Sequence, residues 1–409
     1  MATILGKVKN TLNNFMYTDE QLYLINDICD WFMESNTMLY EFSGAAGTGK
    51  SSVLHEVIFR LNLLPTQYVP MAYTGTAAIV MRKNGFFAAR TIHSSLFKFS
   101  IDKNTKEIKK EQRYINNDVV KLFIIDEASM VNEELKNLIL SYGIKTIACG
   151  DLNQLHPIYG NPGFLQDKNI YRLTKIMRQE SNSGIVITAN KILNGMRIDP
   201  GDYGNILIVN QSKLTVDDNK RYFSRYGLVL CHTNKTRSGL NNIIRNILFK
   251  DIYHNSPYPG KGERIICKQN NWSYEVDGIN LVNGMYGTVC DIMKSNKIST
   301  DGYFTIDFKP EFTLKIFDGI KCDSEYFFAN EEDKKRMRDM SVVSIYDNYG
   351  PSFNKFDFAY AITVHSSQGS QFGSGIYLEE EDYYNANSVN IKYTAITRFV
   401  NKCIYIMRG

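Results

Sequence analysis

The 409-residue sequence predicts an α/β fold of two or more domains, and three observations support this prediction. A strand is expected over residues 37–42, and apolar residues recur at helical spacing through 53–61, so a helix should follow it. Mostly apolar runs at 119–125 and 145–149 are typical of further buried strands. A chain of this length exceeds one ordinary core and should divide into two or three domains.

The composition is that of an ordinary globular protein. Hydrophobic residues make up 44% of the chain and charged residues 22%, which excludes wholesale disorder, and no apolar run is long enough to span a bilayer. Residues 1–10 lack a secretory hydrophobic segment, and the seven cysteines form no C-x-x-C pair. The sequence therefore predicts a cytoplasmic protein with reduced thiols and no membrane partner. The net charge of +4 permits a local basic channel without requiring one.

Between the first strand and helix, residues 44–51 read G-A-A-G-T-G-K-S and satisfy every fixed position of a phosphate-binding P-loop. Its glycines would let backbone N–H groups surround the β-phosphate, and Lys50 would neutralise charge on the β- and γ-phosphates. The Ser51 hydroxyl is placed to ligate Mg²⁺. The predicted contacts of this loop with the nucleotide are Gly44, Ala45, Ala46, Gly47, Thr48, Gly49, Lys50, Ser51 and Ser52. The predicted cofactors are accordingly ATP and Mg²⁺.

The apolar run 119–125 ends in two adjacent carboxylates, which is a Walker B arrangement. Asp126 would hold Mg²⁺ through its water shell, and Glu127 would orient and deprotonate the attacking water. The strand at 145–149 is followed by G-D-L-N-Q-L-H-P, in which Gln154 could reach the γ-phosphate or the attacking water. Taken alone, Gln154 is more typical of a loop residue that bonds to backbone, and only its position after a third strand favours the catalytic role.

Two arginines complete the predicted catalytic set. Phosphoryl transfer concentrates negative charge on the equatorial oxygens, and an arginine delivered by a second domain stabilises that charge. Arg178, in L-T-K-I-M-R-Q, and Arg398, in Y-T-A-I-T-R, are the candidates. A two-domain motor would use such arginines to sense closure of the cleft between its domains.

With these residues in order, the chain resembles a superfamily 1 helicase, and more closely the 5′-to-3′ branch, superfamily 1B, which includes RecD-like and phage Dda-type helicases. Residues 363–372, T-V-H-S-S-Q-G-S-Q-F, are similar to motif V, and the segment ending at Arg398 is similar to motif VI. Residues 17–21, 72–78 and 91–96 resemble the Q motif, motif Ia and a T-I-H-x-x-L motif that touches single-stranded DNA. Several ordered motifs are more specific than one P-loop.

The resemblance implies roles for further residues. Gln21 would contact the adenine, and Gln368 and Gly369 would complete the nucleotide site. A protein that moves along a single strand also needs groups that bind the sugar-phosphate backbone and flat side chains on which bases can stack. The candidates for DNA contact are Thr74, Gly75, Thr91, His93, Phe97, Thr233, Asn234, Thr363 and His365. Phe97 and Tyr393 could equally be buried core aromatics.

The resemblance also implies the domain organisation. Residues 1–171 would form a first RecA-like motor domain with a small β-hairpin insertion at 97–112. Residues 172–260 and 343–409 would form a second RecA-like motor domain. Short alternating segments separated by Gly, Asn and Asp turns make 261–342 an all-β region, which the resemblance implies is an SH3-like β-barrel insertion. The hairpin would be the wedge that splits the duplex or a solvated surface hairpin.

The function expected is an ATP-dependent DNA helicase that moves 5′ to 3′ on single-stranded DNA and unwinds duplex DNA. Its partners would be single-stranded and forked duplex DNA, with single-strand-binding or replisome proteins, and the protein would be a monomer, in a host cytoplasm if phage-encoded. A translocase that strips proteins from single strands is a second hypothesis, and a nucleotide-switched DNA-binding module is a third hypothesis. The helix over 331–338 and the loop over 379–382 are interpreted as solvated surface.

Overall fold

The computed structural model describes residues 16–101, 108–157, 159–167, 169–175, 183–253, 256–276, 279–293, 302–311, 313, 315–344, 353–381 and 388–408. Two six-stranded sheets, one five-stranded sheet and two two-stranded hairpins organise these residues. Within these ranges, no helix combines the length and the apolar character that crossing a bilayer would require.

The first sheet has the strand order β3-β2-β6-β7-β1-β8, and all of its pairings are parallel. Its strands and the accompanying helices are α1 Asp19–Glu34, β1 Leu39–Gly44, α2 Lys50–Arg60, β2 Tyr68–Ala72, α3 Gly75–Lys83, β3 Arg90–Thr91, α4 Ile92–Leu96, β6 Leu122–Asp126, α5 Glu133–Leu140, β7 Lys145–Gly150 and β8 Tyr171–Leu173. Leu122 to Ile125 are all buried, as a central strand covered on both faces requires. The predicted α/β fold with parallel strands is therefore confirmed.

Two features of the first sheet refine the predicted boundaries. The strand β8 pairs with β1, with Leu173 opposite Gly44, so this sheet extends two residues past the predicted boundary at 171. Between α4 and β6, the strands β4 Phe97–Ile101 and β5 Ile108–Gln112 form an antiparallel pair in which Ile101 lies opposite Ile108. The tip of this hairpin, 102–107, lies outside the described residues.

The second sheet has the order β19-β11-β20-β21-β10-β9, with only the edge pair β9 and β10 antiparallel. Its elements are α6 Gly184–Leu193, β9 Gly201–Asp202, β10 Ile206–Asn210, α7 Val216–Tyr226, β11 Val229–Cys231, α8 Asn234–Tyr253, β19 Ala361–Thr363, β20 Phe372–Leu378, α11 Ser388–Thr397 and β21 Phe399–Met407. The chain leaves this sheet after α8 and returns at β19, which gives two parallel α/β units of the RecA-like type.

The excursion between α8 and β19 forms an antiparallel sheet of order β17-β16-β15-β12-β18 and a separate hairpin. Its elements are β12 Arg264–Cys267, β13 Asn271–Val276, β14 Ile279–Leu281, β15 Tyr286–Met293, β16 Tyr303–Pro310, β17 Phe317–Asp323, α9 Ser324–Phe328, α10 Glu331–Ser344 and β18 Phe356–Phe358. In β16, buried and half-buried residues alternate, as expected for a strand with one face on a core. Since β18 pairs with β12, the sheet includes residues beyond the predicted boundary at 342.

This β-rich region also contacts the first motor. A Cβ added to Gly75 at the start of α3 would lie 2.5 Å from a methyl group of Val282, so only glycine allows this approach. Ile79, one turn further along α3, belongs to the hydrophobic cluster of the β-rich region together with Val282 and Met285. The region therefore packs on the helix that follows the motif Ia turn.

The predicted solvated face of the helix over 331–338 is present at Glu332, Lys335 and Arg336, but Lys334 on the same helix is buried. Arg237 in α8 is 1% exposed and pairs with Asp357, at 2.7 Å, and with Glu331 of α10. Lys334 of α10 is also buried and lies 3.2 Å from Asp357. Composition could not reveal this network because Glu331 and Asp357 lie 94 and 120 residues from Arg237 in sequence. Removing one partner would leave a buried charge uncompensated.

Candidate nucleotide site and strand-binding surface

The P-loop connects β1 to α2, as its position between a predicted strand and helix indicated. Gly47 and Gly49 both adopt φ of 85°, a left-handed conformation that residues with a Cβ rarely adopt. The Lys50 ammonium donates to the carbonyl oxygens of Gly44, at 2.7 Å, and Ala45, at 3.3 Å. The loop thus folds back over its own lysine at the start of α2, where the helix dipole favours an anion.

Gln21 of α1 bonds to the P-loop and holds it in place. Its Nε2 donates to the Thr48 carbonyl at 3.0 Å, and its Oε1 accepts from the Thr18 N–H at 2.9 Å, which completes a capping box at the start of α1. Gln21 is 1% exposed, and a Cβ added to Gly49 would lie 2.4 Å from its Nε2. The structure therefore places Gln21 against the P-loop; its contact with an adenine remains a prediction.

The two Walker B carboxylates lie at the carboxyl end of β6, one strand removed from β1 across β7. Asp126 Oδ1 accepts from the Glu127 N–H at 2.9 Å and from the Cys149 thiol at 3.5 Å. Glu127 adopts φ of 53°, an uncommon left-handed conformation for a residue with a long side chain, and begins a short 3₁₀ turn. Such strain is retained where neighbouring structure enforces it, and it is enriched at functional sites.

The charges around Glu127 come from both motors. Burial raises the pKa of Glu127, and the Arg398 guanidinium opposes that shift, as does the Lys50 ammonium more weakly. Asp126 and Asp151 add to the shift because they are like charges. A carboxylate with a raised pKa, set among two cations and two anions, is the kind of group that catalyses proton transfer.

Two predicted catalytic side chains are buried with unsatisfied polar atoms. Gln154 is 2% exposed and Arg398 is 2% exposed. Within the described ranges, neither Gln154 Oε1 nor Arg398 Nε has a hydrogen-bond partner, whereas Arg398 Nη1 donates to the Ser370 carbonyl at 3.3 Å. Buried polar atoms are almost always bonded, so these two atoms are candidates for bonding to a polar ligand. Arg178 lies outside the described residues.

The residues present fit a magnesium nucleotide. Ser51 and Ser52 begin α2, and the Ser51 hydroxyl lies 3.5 Å from Asn84 Nδ2, a contact too long to immobilise it. Asp126 would bind a metal-bound water through its second carboxylate oxygen. Among the described residues, no group of three or more His, Cys, Asp or Glu side chains could hold a metal ion alone. Sparse protein ligation of this kind is typical of Mg²⁺, which keeps waters and binds substrate phosphates.

Thr74, a strand-contact candidate of the first motor, lies against the motif V turn of the second motor. Thr74 caps α3 by accepting from the Ala77 N–H at 3.2 Å. Gly369, which has φ of 76°, lies so close that an added Cβ would be 2.9 Å from Thr74 Oγ1. Gln368, which is buried, donates to the Leu155 carbonyl at 3.2 Å. The motif V turn of the second motor is therefore seated on the motif Ia turn of the first.

The T-I-H-x-x-L segment forms β3 and the short helix α4. Thr91 is buried, and its hydroxyl accepts from the Ser94 N–H at 3.2 Å. His93 is exposed and stacks on Phe97 with ring centroids 6.0 Å apart. Phe97 is 9% exposed and packs in the hydrophobic core of the first motor, so the core interpretation of this ring agrees with the structure and His93 offers the accessible face.

In the second motor, the donors of Thr233 already bind a carboxylate. Glu380 accepts from the Thr233 N–H at 3.0 Å and the Thr233 hydroxyl at 2.9 Å, and also from the His232 N–H and the Thr236 hydroxyl. Asn234 Oδ1 accepts from Arg237 Nε at 3.2 Å. The interpretation of 379–382 as exposed loop is therefore wrong for Glu380, which is half-buried against the start of α8, and for Glu379, whose side chain is 12% exposed and pairs with Lys392. Glu381 is exposed, and Asp382 lies outside the described residues.

Motif V contributes two further candidates. Thr363 is buried at the end of β19, and its hydroxyl bonds to Ser366 at 2.9 Å. Burial and the charge of the nearby His232 lower the pKa of His365. A neutral imidazole can stack on a base or share a hydrogen bond, but it cannot neutralise a phosphate.

The sequence reasoning missed two residues that join the motors. Asp151 is 1% exposed and accepts from the Tyr393 hydroxyl of α11 at 2.8 Å. Asn390, one turn earlier in α11, donates to the carbonyls of Asn153 and Gln154 at 3.0 and 3.3 Å. The position of Asp151 at the carboxyl end of a predicted strand, three residues before Gln154, was a usable signal. Asn390 carried no signal.

Fold and site together resemble those of the P-loop ATPases of the superfamily 1B helicase class. Residues 31–160 match a family profile described as an AAA domain. The ATP-dependent RecD2 DNA helicase of Deinococcus radiodurans is 22% identical over 378 residues, covering 88% of this chain and 46% of the relative. The recognition of a superfamily 1B, RecD-like chain is thereby confirmed.

Solved helicase structures share the fold. The Pif1 helicase of Candida albicans superposes with a TM-score of 0.56 at 17% identity, covering 97% of this chain and 95% of that chain. The Pif1 helicase of Bacteroides, in complex with ADP-AlF3 and single-stranded DNA, gives a TM-score of 0.55 at 18% identity, covering 96% and 92%. The chain spans less than half the length of the curated relatives it matches.

Proposed function

We propose that this protein is an ATP-dependent DNA helicase that translocates 5′ to 3′ on single-stranded DNA and unwinds duplex DNA. One observation supports the proposal most strongly. Arg398 of the second motor is buried, and its guanidinium opposes the raised pKa of Glu127, so it would complete the P-loop and Walker B site of the first motor. An ATP site shared between two RecA-like units couples nucleotide chemistry to the distance between them.

The proposed chemistry divides among the residues of the cleft. When bound, Mg²⁺·ATP supplies the γ-phosphoryl group that is transferred to water. Glu127 would accept the proton of the attacking water, and Gln154 Oε1 would hold its other hydrogen. Arg398 and Lys50 would stabilise the charge that develops on the phosphoryl oxygens.

The strand would run across the seam between the two motors. The motif Ia turn at Thr74 and the motif V turn at Gly369 touch each other, so one backbone segment could contact both. The Pif1 helicase of Bacteroides was solved with single-stranded DNA, and Pif1 was also studied on forked duplex DNA as two coordinating helicases. These relatives support single-stranded and forked DNA as the partners.

We assign the hairpin of β4 and β5 as the strand-separating wedge. The sheet of β12 and β15–β18 would be the SH3-like barrel. The first strand of this hairpin begins directly after α4, four residues from the exposed His93, so a DNA strand held by that histidine could reach the hairpin. The barrel would brace the strand path because Val282 packs on the start of α3.

A substitution of Glu380 can test whether Thr233 of the second motor contacts the DNA strand. Its carboxylate occupies the N–H and hydroxyl donors of Thr233, which a DNA phosphate would need. Replacing this anion by a neutral amide should weaken its bonds to the Thr233 donors and remove its repulsion of phosphate. We expect Glu380→Gln to lower the Kd for single-stranded DNA about three- to tenfold in anisotropy titrations at fixed salt.

Glu381→Gln is the matched control because it removes the same charge one residue away. Glu381 is exposed and pairs with Arg408 at 2.9 Å, on the surface. Equal affinities for the two variants would mean that only net charge matters. Weaker binding by Glu380→Gln would show that Glu380 supports α8 and that Thr233 is not a strand contact.

Movement along a strand can be measured without a duplex. Streptavidin bound to a biotin at the 3′ end of an oligonucleotide should be displaced much faster than streptavidin at the 5′ end, because a 5′-to-3′ motor pushes only on the former. The reverse preference would refute the proposed polarity. Displacement from neither end, with ATP turnover that DNA does not stimulate, would favour a nucleotide-switched binding module. An RNA oligonucleotide of the same sequence tests strand type.

A further inference from the structure

The turn that carries Gln154 is held by the second motor. Asp151 Oδ1 accepts from the Asn153 N–H at 3.0 Å, and Asp151 Oδ2 accepts from Gln154 Nε2 at 3.4 Å. The same Oδ2 accepts from the Tyr393 hydroxyl of α11 at 2.8 Å. One buried oxygen of the first motor is therefore shared between a candidate catalytic side chain and a hydroxyl of the other motor.

This sharing sets the orientation of the Gln154 amide. An ionised carboxylate only accepts hydrogen bonds, so the NH₂ group of Gln154 must face Asp151. Gln154 Oε1 is then the free end, and it is buried with no partner in the described part of the chain. A carbonyl oxygen is the end that can accept a hydrogen from an attacking water. If the amide were reversed, an NH₂ group would stand in its place.

Tyr393 is suited to stabilise this arrangement. The carboxylate of Asp151 is buried, and a buried anion requires donors. Burial and the Asp151 charge raise the pKa of Tyr393, so its hydroxyl remains a donor across the physiological range. Asn390, on the same face of α11, holds the carbonyls of Asn153 and Gln154. Asn390 and Tyr393, one helical turn apart in α11, therefore both bond to the turn over 151–154 of the first motor.

We propose that Tyr393 and Asp151 are positioning residues for ATP hydrolysis: seating α11 on the first motor orients the Gln154 amide, so hydrolysis depends on closure of the cleft. Opening the cleft removes the Tyr393 hydroxyl from Asp151. Asp151 can then rotate, and Gln154 loses its fixed orientation. The inference rests on the proposed function only through ATP hydrolysis.

Tyr393→Phe tests this proposal, since it removes one hydroxyl from a ring that is otherwise packed in the second motor's core. We expect kcat for ATP hydrolysis to fall about tenfold, with the KM for ATP within twofold, as for a lost bond that acts in the transition state. Tyr360→Phe is the matched control. Tyr360 is buried in the second motor, and its hydroxyl donates to Glu263 at 2.9 Å.

A double-mutant cycle separates positioning from general structural support. In a Gln154→Ala background, Tyr393→Phe should reduce kcat by less than twofold, because the side chain that it orients is absent. Equal losses in both backgrounds, or unchanged kcat in Tyr393→Phe, would overturn the proposal. Should Tyr393→Phe fail to fold by thermal melting, Asp151→Asn replaces it in the same cycle with the same criteria.

Failure of the helicase proposal would be distinguishable. A wild-type protein that hydrolyses ATP but neither moves on DNA nor opens a duplex would refute the proposed function. The double-mutant cycle would still report coupling between Tyr393 and Gln154, because its readout is ATP turnover alone.

Discussion

Lys50→Ala should lower ATP turnover by about 10³-fold or more, to the background of the assay. The Lys50 ammonium lies at the first turn of α2 and is held by the Gly44 and Ala45 carbonyls, and no other cation within the P-loop could replace it. Its loss removes the charge that neutralises the β- and γ-phosphates. Turnover is measured with and without single-stranded DNA.

The exposed Lys121, which donates to the Asn117 carbonyl at 3.2 Å, supplies a matched lysine control in the same motor. Lys121→Ala should retain wild-type turnover. DNA-stimulated hydrolysis retained by Lys50→Ala would refute the assignment of the nucleotide site.

Arg398→Ala should cut ATP hydrolysis by about 10³-fold while leaving single-strand affinity within about twofold. The guanidinium is buried, its Nε has no hydrogen-bond partner among the described residues, and it opposes the shift in the pKa of Glu127. Arg398→Lys keeps the charge without the planar donors and should recover only part of the rate. Turnover and anisotropy on the same preparations check both claims.

The pH profile distinguishes a catalytic role of Arg398 from a structural one. Burial raises the pKa of Glu127, so the acid limb of kcat should lie above the usual carboxyl range. Arg398 lowers this pKa; removing it should therefore move the limb to higher pH. Unchanged turnover, or a rate loss with an unmoved acid limb, would count against contact with the reacting groups.

Much of the first motor was predictable because its signals are local. The P-loop needs glycines at positive φ between a strand and a helix, and the Walker B carboxylates need a buried strand that ends at Asp126; both patterns are contiguous in sequence. In the second motor, the motif V and motif VI patterns likewise indicated Gly369 and Arg398 as candidate site residues. Strand ends were within a few residues of those predicted.

The remaining features depend on contacts between distant segments. Lys334 appears in a run of charged residues, and only its partner Asp357 on another element makes it a buried ion pair. Glu380 has no sequence signal because its donors are 144 to 148 residues away. The sequence around Tyr393 predicts only a base-stacking or core ring. Its hydroxyl bonds to Asp151 across the cleft, and Asp151 lies 242 residues away in sequence.

The central claim is that one ATP site shared by two motors drives movement from 5′ to 3′. Its most direct test compares two duplexes of identical sequence, one with a 5′ single-stranded tail and one with a 3′ tail, with unwinding and ATP hydrolysis followed in the same tubes. We expect strand-stimulated hydrolysis with both duplexes, and unwinding only of the duplex that carries the 5′ tail. Unwinding only from the 3′ tail, or hydrolysis that neither strand stimulates, would contradict it.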